Sequence, residues 1–79
     1  VKERTFLVTG HTASVGDPKS EYTLSVQRAK AIVDYLVAKG LEARRFLYEG
    51  KGATVPVAPN DTEENMAKNR RVEITILED

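Results

Sequence analysis

The sequence predicts a thin two-layer α+β sandwich, three strands laid against one long helix. Three stretches predict it. Residues 4–9, "RTFLVT", are β-branched and aromatic over a strand's length. Residues 20–39 carry apolar side chains at helical spacing. Residues 70–79, "RRVEITILED", alternate apolar and polar with the period of a strand. With 79 residues the chain makes one domain at most, burying only about 60–65% of the surface its unfolded form exposes.

In the first strand Phe6 and Val8 point the same way. A loop follows over 10–19, marked by Gly10, Gly16 and the Asp17-Pro18 pair. Its start, "GHTASVG", sets His11, Thr12 and Ser14 around the small Ala13. In the helix Tyr22, Val26, Ala29, Val33 and Leu36 form one stripe, widened by Ile32 and Val37. Gln27, Lys30, Asp34 and Ala38 fall opposite. Asp17 or Ser20 suits the helix start, Lys39 complements the negative helix end, and Gly40 supplies a left-handed stop. The second strand is "RFLYEG" at 45–50, closed by Gly50 and Gly52. Strand, helix and strand in this order give a right-handed crossover with the two strands parallel.

The segment 51–61, "KGATVPVAPND", is irregular and kept extended by Pro56 and Pro59. A short helix starts at Asp61 or Thr62, where Asp61 and Glu64 have capping-box spacing. The last strand directs Val72, Ile74 and Ile76 into the core, with Glu73 and Thr75 opposite. One long helix covers such a sheet incompletely and leaves apolar surface bare. The chain also opens almost inside an apolar segment, which reads as a cut from a longer protein.

Composition and motifs exclude several classes. Twelve basic and twelve acidic residues cancel, and without a basic stripe or many aromatics a nucleic-acid partner is not expected. There is no cysteine, hence no disulfide, thiolate nucleophile or Cys-based zinc site. The apolar runs fall short of the roughly 20 residues that span a bilayer, so this segment is not expected to insert in a membrane. His11 is the single histidine and lacks clustered carboxylates; it is expected to hydrogen-bond loop backbone rather than hold a metal. Ser14 has no nucleophile elbow or triad context. "GKGATVP" at 50–56 lacks the Walker spacing, and Val55 occupies the third glycine's place in a dinucleotide fingerprint. "NDT" at 60–62 is formally a glycosylation sequon but falls where a helix cap belongs. No catalytic residue, metal or cofactor is expected, and no enzyme.

Four motifs occur in a fixed order: "GHT" at 10–12 after a strand, "LSVQRAKAIVDYL" at 24–36 on the helix, "GKG" at 50–52 with Pro56, Asn60 and Thr62 beyond, and "NRRVEI" at 69–74. From Phe6 to Ile76 the chain thereby resembles the OmpA-like C-terminal domain family, which includes peptidoglycan-associated lipoproteins and the periplasmic parts of flagellar stators. The resemblance implies a mixed β-sheet with helices on one face, in the order β-α-β-α-β-β, truncated at the N-terminus. Residues 1–79 would then be the C-terminal two-thirds of such a domain, its first strand and helix lying ahead of residue 1.

It also implies a groove that grips the peptide stem of peptidoglycan through its diamino acid, typically diaminopimelate. In the family an Asp directly after "GHT" takes the ammonium and the Arg of the "LSxxRA" helix takes a carboxylate. An Asn ahead of that helix and the first Arg of "NRR" assist. Thr12, Arg28 and Arg70 match this pattern. Ala13 stands where the family has Asp, Glu21 where it has Asn, and Asn65 and Met66 replace a Gly-Arg pair in the short helix. The candidate ligand-binding residues are therefore Thr12, Ala13, Ser14, Glu21, Arg28 and Arg70.

Arg28 and Arg70 can still fork onto a carboxylate, whereas the Ala13 methyl offers an ammonium nothing. A hydrogen bond to a charged group contributes roughly 1.5–3 kcal/mol, so its loss lowers affinity about 10- to 150-fold. The Ser14 hydroxyl recovers only part of that. Two roles stay open for Glu21, seven residues before Arg28 on one helix face: supplying the missing carboxylate, or neutralising Arg28 and closing the site. The expected function is a non-catalytic periplasmic module, attached to the outer membrane through the rest of its parent and associated with peptidoglycan, with altered or weakened diamino-acid recognition. The alternative is a degenerate scaffold that no longer binds the wall and works through envelope protein partners. A sheet edge left bare by a missing strand also invites strand addition or a swapped dimer.

Overall fold

The computed structural model describes residues 4–77. Its elements are β1 (Thr5–Gly10), α1 (Pro18–Ala38), a single 3-10 turn at Ala43–Arg45, β2 (Phe46–Gly50), α2 (Glu63–Asn69) and β3 (Val72–Leu77). The sheet runs β2-β1-β3, with β1 parallel to β2 and antiparallel to β3. It is thus mixed, as the family pattern implied, and the crossover through α1 makes the parallel pair. Val8 lies opposite both Tyr48 and Ile74, so Phe6, Val8, Phe46, Tyr48, Val72, Ile74 and Ile76 share one face.

Asp17 caps α1 by accepting the Lys19 N–H at 3.3 Å, and Pro18 supplies the first turn. Gly40, at φ 104°, ends the helix in the left-handed conformation. The inward row of α1 is Glu21, Ser25, Ala29 and Val33, four residues apart. Ala29 and Val33 lie inward as expected, but in the first half of the helix the expected Tyr22 and Val26 give way to Glu21 and Ser25, one residue earlier, and Tyr22 is 56% exposed. Two glycines explain the difference. Gly10 and Gly50 are register partners in the strands beneath the first half of α1. A Cβ at Gly10 would lie 2.0 Å from the Ser25 carbonyl oxygen, and one at Gly50 would lie 2.2 Å from Ser25 Oγ. The helix comes so close that only small or backbone-bonding side chains fit. Ser25, fully buried, donates to the Tyr22 carbonyl at 2.6 Å and accepts the Gly52 N–H at 2.9 Å.

Further along α1, Ala29 and Val33 close a small core on Val8, with Ile32, Val37, Phe46 and Val72 around it. Phe6 and Phe46 stack at 5.5 Å between centroids. The placing of Ile74 and Ile76 in the core needs correction, because each is 54% exposed. They do face the helix side, but α1 packs chiefly on β1 and β2 and meets β3 at Val72, leaving Ile74 and Ile76 half-exposed. An apolar groove of about 290 Å³ opens there, lined by Phe6, Leu36, Leu41, Phe46 and Ile74, with Arg45 at its rim.

The cap of α2 is Thr62, whose Oγ1 accepts the Asn65 N–H at 3.1 Å. The Asp61–Glu64 capping box does not form. The helix starts at Glu63, so Asn65 takes the third helical position, and Asp61 Oδ1 accepts from its side-chain amide at 2.8 Å.

Candidate functional site

The loop after β1 is built from backbone N–H groups given to fixed acceptors. His11 N–H donates to the Arg71 carbonyl at 2.8 Å, which extends the β1–β3 ladder by one residue. Thr12 N–H donates to the Gly52 carbonyl at 2.9 Å. Ser14 N–H donates to Asn60 Oδ1 at 3.1 Å. Val15 and Gly16 both donate to one carboxylate oxygen, Glu21 Oε2, at 2.6 and 2.8 Å. Glu21 therefore staples the loop to the first turn of α1, where the helix dipole also favours a negative charge. It forms no ion pair with Arg28 among the described residues, so it does not neutralise that arginine.

Asn69 anchors the far side. It is fully buried. Its Oδ1 accepts from Val57 N–H at 2.8 Å and Ala58 N–H at 3.1 Å. Its Nδ2 donates to the Ala58 carbonyl at 3.0 Å and to Asn60 Oδ1 at 2.9 Å. With Asn60 also holding Ser14 N–H, a chain of amides joins the loop after β1 to the end of α2. This fixes the start of β3, and with it Arg70 and Arg71.

Arg28, half-buried on α1, reaches toward the loop and makes one long contact, 3.5 Å from Nη1 to the His11 carbonyl. It has no ion pair among the described residues. Arg70 binds the carboxylate of Glu63. Arg71 donates to Glu73 at 2.8 Å and to the Val55 carbonyl at 3.1 Å. That Arg71 hydrogen bond, foremost, holds the Glu73 carboxyl below its ordinary value of 4.5, and the nearby His11 acts in the same direction. The three arginines line one open groove of about 460 Å³, floored by Ala31, Ile32 and Val72.

The six sequence candidates thus divide. Arg28 and Arg70 share the groove. Ser14 and Glu21 line a separate recess of about 220 Å³ with Tyr22, Lys51 and Thr54. Thr12 and Ala13 are 4% and 2% exposed and line neither; the Thr12 hydroxyl has no partner. The expectation for His11 is corrected: its ring nitrogens bond no backbone, and Nε2 lies 3.4 Å from Glu73 Oε1 on the sheet face away from α1. Asn69 and Ser25 are structural partners that sequence reasoning did not single out, whereas Asn60 and Arg71 entered it only as parts of motifs. The dipeptide "LS" above two strand-end glycines was the available signal for Ser25. No cluster of metal-ligating side chains occurs among the described residues, and no helix there is long and apolar enough to cross a membrane.

A mixed three-stranded sheet under one helix, with paired arginines at the strand ends beside a stapled loop, defines an α+β module built around a surface groove. The chain belongs to the OmpA family, whose pattern matches residues 1–70. It is 44% identical over 73 residues to outer membrane protein A of Bordetella avium, covering 92% of this chain and 38% of that protein. To the peptidoglycan-binding protein ArfA of Mycobacterium tuberculosis it is 44% identical over 69 residues, covering 87% of this chain and 21% of that one. Among solved structures it superposes on the C-terminal domain of Helicobacter pylori MotB with a TM-score of 0.90 and 35% identity, over 100% of this chain and 61% of the other. The chain therefore spans well under half the length of these two curated relatives and just under two-thirds of the solved domain.

Proposed function

We propose that this chain is part of a non-catalytic envelope module that associates its parent protein with peptidoglycan, in the periplasm and attached to the outer membrane through the parent's other segments. One observation carries the reading: the fold brings Arg28 and Arg70, far apart in sequence, to one groove beside the "GHT" loop. The Arg28 guanidinium, with Arg70 beside it on Glu63, suits a carboxylate of the stem peptide. The name of the mycobacterial relative, a peptidoglycan-binding protein, supports the same reading. Recognition of the diamino acid is altered, since Ala13 carries no charge and Glu21 commits an oxygen to the loop backbone.

The test is co-sedimentation of the domain with purified sacculi. The native protein should pellet and Arg28→Ala should stay in solution. A second reading, a scaffold that has left wall binding for protein contacts, is favoured by the buried methyl at position 13. It takes precedence where only Ala13→Asp pellets. The bare apolar side of β3 further supports the view that residues 1–79 are the C-terminal part of a larger domain whose other elements cover Ile74 and Ile76. In their absence β3, an edge strand, would recruit a strand from a second copy; a monomer by light scattering across a wide concentration range would overturn that.

A further inference from the structure

The charges of the arginine groove do not balance as a zwitterion site requires. Three guanidinia line it, and none of its lining residues is acidic. Arg70 is taken by Glu63 and Arg71 by Glu73, both bonded directly to the guanidinia. Arg28 is left over. Beyond the long contact to the His11 carbonyl its N–H donors make no hydrogen bond within the described residues, so its fork is free for a carboxylate. The groups that an ammonium beside that carboxylate would need are elsewhere. Ala13 supplies a buried methyl. Glu21 has Oε2 in two short backbone bonds and faces the other recess, with Ser14 and Lys51. A free ammonium entering the groove meets three positive charges against two negative ones. An uncharged acyl nitrogen escapes that repulsion, and its acyl group finds Ala31, Ile32 and Val72 as an apolar floor.

We infer that the groove selects a carboxylate whose neighbouring nitrogen is acylated and uncharged, over the same carboxylate beside a free ammonium. This rests on the reading of the groove as the wall-binding surface. The experiment titrates the domain with meso-diaminopimelate and with its N,N′-diacetyl derivative, followed by chemical-shift changes, alongside sacculus pelleting. The diacetyl form should bind about fivefold more tightly, the factor that one like-charge contact near 4 Å amounts to in watery surroundings. Arg28→Ala should weaken its binding about 10-fold or more; Arg28→Lys, which keeps the charge but not the fork, guards against a folding defect and should bind measurably less well than native.

Tighter binding of the diacetyl form, dependent on Arg28, sustains the inference. Equal binding of the two forms or a preference for the free diamino acid overturns it, and so does the failure of both to bind. If that preference disappears in Glu21→Gln, Glu21 is identified as the ammonium's partner. Sacculi that pellet while the free diamino acid is preferred leave the wall reading intact and remove the selectivity. An Arg28-dependent diacetyl preference without sacculus binding does the reverse.

Discussion

Gly10→Ala tests how α1 is seated on the strands. Gly10 is not among the positive-φ glycines, which are Gly40 and Gly52 within the described residues, so alanine is tolerated by the backbone and its whole effect is steric. The added Cβ would lie 2.0 Å from the Ser25 carbonyl oxygen, 2.9 Å from its carbon and 3.3 Å from Ala29 N. All three are helix backbone, so no side chain can swing aside. Relief to an ordinary contact requires strand and helix to part by more than an ångström. Such a shift lifts Ser25 Oγ from Gly52 N–H and opens the contacts of Ala29 and Val33 on Val8. Overpacking costs about 1–3 kcal/mol and the loosened hydrogen bond about 1, together roughly 2–4 kcal/mol.

A domain this small has roughly 4–12 kcal/mol to lose. The melting temperature should therefore fall by roughly 10–30 °C, at about 4–8 °C per kcal/mol for this size. Thermal and urea unfolding followed by circular dichroism give the measurement. Gly16→Ala is the control, for nothing lies within 4 Å of its Cβ and its φ is not positive; it should change stability by less than about 1 kcal/mol, in the stabilising direction. If Gly10→Ala proves as stable as Gly16→Ala, the close seating of α1 is refuted, and with it the geometry that brings Arg28 to the loop.

Other outcomes follow from the staples. Asn69→Ala strands the Val57 and Ala58 N–H groups and should cost about 2–4 kcal/mol in urea unfolding. Glu21→Ala should release the loop, seen as faster amide exchange at Val15 and Gly16 and a loss of about 1–3 kcal/mol, while Glu21→Gln retains an acceptor and most of the protection. Glu73 has a folded pKa below its ordinary value of 4.5, so the unfolded chain binds its proton more readily. Its contribution is therefore present above that pH and is lost as the pH falls through the lower folded value. Because the carboxylate is solvent-facing the step is small, and Glu73→Gln should remove it from the acid limb of a stability-pH curve while leaving the neutral region parallel.

Element type and order were legible in the sequence because strand alternation and helical spacing are local properties. The phase of α1 was legible in its second half, at Ala29 and Val33, and not in its first. Glu21 and Ser25 fall outside the apolar stripe, and inside the fold they accept the N–H groups of Val15, Gly16 and Gly52 at the strand ends. That demand depends on Gly10 and Gly50 meeting in register, which is a long-range fact. The exposure of Ile74 and Ile76 escaped for a related reason: alternation tells which face a residue occupies, not what lies above that face. Asn69, at the end of a short helix, reads as an ordinary terminus until the chain at 57–60 folds back to it. Arg28 and Arg70 came from a motif, which did not show that Glu63 pairs with Arg70 while Arg28 has no ion pair among the described residues.

The loop's shape and the groove's charge reside on different atoms. Thr12, Ser14, Val15 and Gly16 are each held through the backbone N–H, by Gly52, Asn60 and Glu21. The side chain at position 13 is a buried methyl and makes no hydrogen bond. A change there leaves the acceptors that fix the loop in place, so the shape of the loop does not depend on the charge carried at that position. The same separation makes position 13 informative in experiment. Amide exchange at 14–16 reports the frame, and ligand choice reports the charge. If Ala13→Asp changes ligand preference and leaves that exchange unaltered, the two are independent; if both move together, position 13 is part of the frame after all.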